Sequence, residues 1–158
     1  MLVKDAMTKD PFTIDPEAPL GTAIDVMRTN SIRHLPVVDD VGCLIGIITD
    51  RDLRHAAFGP AIAEYLSASG QRRLRQFGDA LENLRVRDAM TWVVITTGPG
   101  EALGRAALSM WERRLGSLPV IDDGRLVGLL TERDVLRAVA RDGRAGRVDP
   151  EGLLWEPR

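Results

Sequence analysis

Two threonine–aspartate pairs are the residues of this chain best suited to chemistry: Thr49 with Asp52, and Thr131 with Asp134. Each closes the same seven-residue pattern, Gly46-Ile47-Ile48-Thr49-Asp50-Arg51-Asp52 in one case and Gly128-Leu129-Leu130-Thr131-Glu132-Arg133-Asp134 in the other. An apolar run ends in a polar helix start, a junction where backbone N–H groups point outward and can receive an anion. A threonine followed three residues later by an acid also forms a capping box, and that alone would account for the spacing. Such boxes favour Glu or Gln at the last position, whereas both copies have Asp. The glycine three residues before each threonine serves no cap and points to close backbone approach by another group. A carboxylate and a hydroxyl beside a helix N-terminus can hold ribose hydroxyls and phosphate oxygens. The junctions by themselves leave a cap and a ligand clamp both open.

The elements that position these pairs form an internal repeat. Val3-Lys4-Asp5-Ala6-Met7-Thr8 recurs 83 residues later as Val86-Arg87-Asp88-Ala89-Met90-Thr91. His34-Leu35-Pro36-Val37-Val38-Asp39-Asp40 matches Ser117-Leu118-Pro119-Val120-Ile121-Asp122-Asp123 at the same shift. Beyond it the shift falls to 82, with Val41-Gly42 set against Gly124 in a turn, where length changes are best tolerated. Each copy predicts a short β-prone segment, Phe12-Thr13-Ile14 or Val93-Val94-Ile95-Thr96, followed by a proline-punctuated helix start. Leu20, Ala23, Ile24 and Met27, and again Leu103, Ala106, Ala107 and Met110, mark one apolar helical stripe per copy. Leu35 to Val38 and Cys43 to Ile48 predict paired strands, and Asp123-Gly124 is a strong hairpin signal in the second copy. Further helices start near Asp50 and Glu132. Each unit is therefore β-α-β-β-α, and the fold class is α+β.

Composition narrows the function. Of 158 residues, 44% are hydrophobic and 28% charged, as in a folded globular chain. A net charge of -2 argues against nucleic acid as the main partner. No apolar run spans a bilayer, and Met1-Leu2-Val3-Lys4-Asp5 lacks a secretory signal, so a cytoplasmic protein is expected. The single cysteine, Cys43, excludes an internal disulfide and a cysteine metal cluster, and reads as apolar filler within a strand. His34 and His55 are the only histidines and have no metal-ligand spacing. There is no Ser-His-Asp set, P-loop or dinucleotide fingerprint, so neither a catalytic residue nor a metal ligand is assigned.

The Asp-Ala-Met-Thr segments, the Leu-Pro-Val segments and the two Gly-x-x-Thr-x-Arg-Asp junctions together resemble a tandem pair of CBS domains, often called a Bateman module. The resemblance covers nearly all of Val3 to Ala57 and Val86 to Ala140. It implies two repeats packed about a pseudo-twofold axis, with clefts that commonly take adenine nucleotides and in some members S-adenosylmethionine or nothing. It makes Asp52 and Asp134 acceptors for ribose hydroxyls and puts Thr49 and Thr131 at ribose or phosphate. Residues just before the Leu-Pro segment approach the phosphates in such modules, here Arg33 and His34, with the uncharged Gly116 and Ser117 as counterparts. The expectation that follows is a first cleft, built on Thr49, Asp52 and Arg33, that favours the more negative ligands.

The chain divides into repeat 1 (1–57), a helical linker (58–85), repeat 2 (86–141) and a C-terminal tail (142–158). In the linker, Ile62, Tyr65 and Leu66, then Leu74, Phe77, Leu81 and Leu84, mark helical turns. Arg72, Arg73, Arg75, Arg85 and Arg87 form a solvated basic face or an anion patch. The tail ends in an apolar tip, Leu153-Leu154-Trp155. Trp92 either packs or stacks on a base, and Arg51 and Arg133 pair with nearby acids. The expected function is a regulatory module without its own catalysis. It binds AMP, ADP or ATP, with S-adenosylmethionine ranked behind them, forms a homodimer and acts on an effector protein in trans. The alternative is a ligand-free CBS dimerisation module.

Overall fold

The computed structural model describes residues 1–56 and 83–141. The expectations for the tail and for most of the linker lie outside the described residues. The first repeat contains α1 (Val3–Ala6), β1 (Thr8–Lys9), α2 (Leu20–Asn30), β2 (His34–Val38), β3 (Leu44–Thr49) and a helix over residues 50–56, α3. The second contains α4 (Val86–Ala89), α5 (Leu103–Arg113), β4 (Ser117–Asp122), β5 (Arg125–Thr131) and α6 (Glu132–Arg141). The two apolar stripes do form helices: Leu20, Ala23 and Met27 are buried on α2, and Leu103, Ala106 and Met110 on α5. Asp123 (φ 46°) and Gly124 (φ 78°) close the predicted hairpin with positive φ at both positions, which brings Asp122 opposite Arg125.

The β-prone segments depart from expectation. Phe12-Thr13-Ile14 contributes only an isolated bridge from Ile14 to Val37, and Val93 to Thr96 forms no strand. The first regular pairing comes earlier, at Thr8–Lys9, because Asp10 turns the chain at φ 46° and Pro11 lacks the donor a ladder needs. Cys43 likewise lies one residue before β3. Its N–H donates to Asp39 Oδ1 at 2.7 Å, so it belongs to the turn and is only half-buried.

The opening stretch of each repeat packs into the other repeat. β1 joins β5 antiparallel, giving a three-stranded sheet ordered β1-β5-β4, while β2 and β3 form a separate pair. Val3 belongs to the core cluster of Leu103, Met110, Leu118 and Leu130, and Val86 and Met90 belong to that of Leu20, Met27, Leu35 and Ile48. Backbone bonds fix the exchange. Val3 N–H donates to Glu101 O (2.9 Å), Val86 N–H to Ala18 O (3.0 Å), and Ile47 and Thr91 exchange a pair at 3.0 and 2.9 Å. Asp5 and Asp88 start their short helices by accepting from the N–H of Leu2 (2.9 Å) and Arg85 (2.8 Å).

This exchange explains the repeated glycines. A Cβ on Gly46 would lie 2.7 Å from Met90 Sδ and 2.9 Å from Thr91 O, and one on Gly128 would lie 2.4 Å from Met7 Sδ. The approaching group is the other repeat's Met-Thr segment, not a ligand. Met7 and Met90 fill the space that a side chain would take. Gly46→Ala meets backbone as well as side chain and should lower the unfolding free energy by about 1–3 kcal/mol, as overpacking does. The atoms nearest a Cβ on Gly128 all belong to the flexible Met7 side chain, so Gly128→Ala should lower it less. Urea denaturation of the two variants checks the ranking; equal losses would mean that the Thr91 carbonyl contact does not matter.

Candidate functional site

Both threonine–aspartate pairs form capping boxes. Thr49 donates to Asp52 Oδ2 through its N–H (2.9 Å) and its hydroxyl (2.7 Å), and Asp52 N–H returns to Thr49 Oγ1 at 3.3 Å. Thr131 and Asp134 repeat this at 2.9, 2.6 and 3.3 Å. Aspartate closes the box in place of the longer Glu because the threonine hydroxyl meets it. The cap uses one carboxylate oxygen of each pair, Oδ2, and leaves Oδ1 for something else. In Asp134 that oxygen accepts from the Arg137 guanidinium; the residue itself is 4% exposed.

The two junctions differ in their surroundings. A cavity of about 510 Å³ opens beside the second one, within the range of small-molecule sites. Thr131, Glu132, Arg133, Asp134 and Arg137 form one wall. Ser31, Ile32, Arg33 and His34 come from the other repeat, and Thr8 to Phe12 run through from β1. Thr49, Asp52 and Ser117 do not line it. Arg33, expected beside Asp52, lines this cavity, and Asp52 does not. Arg33 and His34 are tied to the first junction through backbone, since Asp50 N–H donates to Arg33 O at 3.0 Å and His34 pairs with Thr49. Both residues nevertheless line the cavity of the second. Five of the eight expected site residues, Arg33, His34, Gly116, Thr131 and Asp134, meet in one place.

Gly116 has a definite role there. A Cβ on it would sit 2.7 Å from His34 Nε2, so its missing side chain makes room for the imidazole of the other repeat. Burial, and then the Arg33 charge, push the His34 pKa below 6.5, against the opposing pull of Asp50, Glu132 and Asp52. His34 thus stands neutral in the wall at neutral pH.

Sequence reasoning missed Lys9, Asp10 and Arg137. Lys9 and Asp10 follow the Met7-Thr8 signature directly, and Arg137 lies one helical turn beyond Asp134. The expected pairing of Arg51 and Arg133 with acids falls instead on residues one turn later, as Arg54–Asp50 (3.2 Å) and Arg137–Asp134. Arg133 lines the cavity. Lys9, Arg33, Arg133 and Arg137 supply four cations against the carboxylates of Asp10, Glu132 and Asp134, a balance suited to an anionic ligand. Trp92 is 59% exposed and faces a separate groove with Leu44, Ile45 and Ile121. Arg87 pairs with Glu17 across the two repeats. Among the described residues no cluster of three or more metal-ligating side chains occurs, and no helix is long and apolar enough to cross a membrane.

Two repeats, each with a helix, a two-stranded hairpin and a capped helix, exchange their opening segments and form a cavity beside the second strand–helix junction, the architecture of a paired-repeat module. The CBS domain family model matches residues 3–59 and 86–141, and the chain belongs to that family. It is 39% identical over 140 residues to a CBS domain-containing protein of Dictyostelium discoideum, covering 86% of this chain and 89% of that one. It also matches inosine-5'-monophosphate dehydrogenase of Methanocaldococcus jannaschii at 34% identity over 134 residues, 84% of this chain but 22% of the enzyme. Among solved structures, CBSX2 in complex with AMP aligns with a TM-score of 0.71 and 27% identity, covering 89% of this chain and 96% of that one. CBSX2 is a CBS-pair protein of Arabidopsis thaliana. The CBS domain pair of protein MJ0100, in complex with 5'-methylthioadenosine and S-adenosyl-L-methionine, aligns with a TM-score of 0.69 and 29% identity over 89% of this chain and 96% of that one.

The lowered His34 pKa sets a pH dependence. As pH falls through about 6.5, the unfolded chain takes up a proton that the folded chain does not yet bind, so the unfolded state gains. Stability should therefore decline from pH 6.5 downward and level off below the folded pKa. His34→Gln should flatten that part of the profile. Urea unfolding across about pH 5 to pH 7.5 measures it; an identical slope in the variant would assign the titration elsewhere.

Proposed function

We propose that this protein is a regulatory module whose inter-repeat cavity binds AMP, ADP or ATP. The supporting observation is the meeting of the Thr131–Asp134 junction with the cations Lys9, Arg33 and Arg133 in a single cavity. Asp134 and Thr131 serve the ribose end. Lys9, Arg33, Arg133 and the His34 imidazole serve the phosphates, through charge-assisted hydrogen bonds. Gly116 keeps the wall low enough for both. S-adenosylmethionine ranks behind the nucleotides, because its sulfonium carries positive charge toward four cations. Thr49, Asp52 and Ser117 belong to a second, independent cleft with weaker phosphate preference, since Arg33 lines the first cavity.

The ligand would touch Ser31 to His34 from one repeat and Thr131 to Arg137 from the other. It would therefore favour one relative packing of the repeats, which an effector protein acting in trans can read. Thermal unfolding with AMP, ADP, ATP and S-adenosylmethionine tests the reading. At about 100 times the dissociation constant a ligand stabilises by about 2.7 kcal/mol. Arg33→Ala should weaken ADP about tenfold, corresponding to roughly 1.4 kcal/mol. Asp52→Ala should leave that cavity's affinity unchanged. If no compound moves the midpoint, the sensor reading fails.

A homodimer is the second element of the proposal, supported by a difference between the repeats. Leu108 and Trp111 on α5, with Leu136 and Val139 on the adjoining α6, are 51–77% exposed. The first-repeat counterparts of Leu108, Trp111 and Leu136 are Asp25, Arg28 and Arg54, which are polar and sit in ion pairs. A face of that size on one repeat only suits isologous pairing through the second repeat. Trp111→Glu should convert a dimer to a monomer in sedimentation velocity while leaving nucleotide affinity intact. A wild-type chain that is already monomeric at high concentration would refute the pairing.

A further inference from the structure

We infer that Arg137 makes this cavity selective for phosphorylated over unphosphorylated adenosine ligands, by holding the carboxylate oxygen that ribose hydroxyls need. The inference rests on the nucleotide reading of the cavity above. Both oxygens of Asp134 are engaged. Oδ2 accepts the N–H and hydroxyl of Thr131 at 2.9 and 2.6 Å, and Oδ1 accepts from Arg137. The Asp134 side chain is 5% exposed, and the Arg137 side chain is 51% exposed and lines the cavity. The carboxylate is thus fixed, and the guanidinium is the partner with room to move.

A ribose diol at this wall competes with the guanidinium for Oδ1. A neutral nucleoside that wins leaves a cation and a nearly buried carboxylate without their ion pair and gives neither a charge in return. A phosphorylated ligand gives the displaced guanidinium a new anion, so the same rearrangement exchanges one ion pair for another. The ribose site therefore opens when a phosphate arrives with the sugar. The first repeat lacks the device: His55 stands where Arg137 does, Thr49 and Asp52 make the same cap, and among the described residues no cation pairs with Asp52.

Calorimetric titration of adenosine and AMP into wild-type chain and Arg137→Gln decides the matter, with circular dichroism confirming the fold of a substitution at a half-exposed helix position. The wild type should bind AMP far more tightly than adenosine. Arg137→Gln should tighten adenosine about 2- to 10-fold, as expected for freeing a partly exposed ion pair, and weaken AMP, so that the ratio collapses from both sides. Arg137→Lys, which keeps the charge without the planar fork, should fall between. Adenosine affinity that is unchanged or weaker in Arg137→Gln would overturn the inference while AMP binding by the wild type left the nucleotide reading standing. Wild-type chain that binds neither compound would overturn both.

Discussion

The structure depends on one reciprocal contact: a methionine from each repeat lying over a strand glycine of the other. Met7 lies over Gly128 and Met90 over Gly46, and backbone pairing beside each contact ties the segments down. Each repeat taken alone would lack a wall of its own core, since Val86 and Met90 complete the first cluster and Val3 completes the second. The repeats therefore form one cooperative unit, and their relative placement is set by buried apolar surface and hydrogen-bonded backbone. Arg87–Glu17 adds a partly exposed ion pair across the same junction, a small contribution beside that burial.

The exchange also builds the cavity. Pairing of Thr8 and Lys9 with Leu129 and Gly128 brings the following residues, through Asp10 and Phe12, alongside the start of α6. Positive φ at Ser31 ends α2 and turns Ile32 to His34 toward the same place. A cavity assembled from three stretches far apart in sequence responds to any change in how the repeats sit. A ligand there would act on the same interface that holds the fold together.

Local features were legible in the sequence, and long-range pairings were not. The helical stripes of Leu20–Met27 and Leu103–Met110, the strands around Leu35-Pro36 and Leu118-Pro119, and the Asp123-Gly124 turn all follow from periodicity and turn chemistry within a few residues. The Asp-Ala-Met-Thr signature was visible as a repeat but not as an exchanged arm, because self-similarity aligns copy with copy and is silent about which copy touches which. The same silence extends to Arg33. The family resemblance put it in one cleft with Thr49 and Asp52, and backbone bonding does join it to Asp50, yet Arg33 lines the cavity at the other junction. Gly46 and Gly128 correctly announced close approach, though by sulfur and backbone instead of by ligand.

The capping aspartates show how structural and functional readings of one motif can both hold. A carboxylate has two oxygens, and the cap occupies only one of them. Because Asp reaches back to both the N–H and the hydroxyl of its threonine, the helix start and the carboxylate orientation are fixed together. The second oxygen is then presented in a defined direction at no further conformational entropy. In this chain the two copies have diverged around that oxygen: a guanidinium meets it in the second repeat, and an uncompensated, half-buried carboxylate remains among the described residues of the first. Selection on a duplicated fold can leave the cap untouched, since the helix requires it, and still tune each cleft through the residue one turn further along the helix. The divergence from Arg137 to His55 is of that kind, and it changes the surroundings of the capping carboxylate without changing the core.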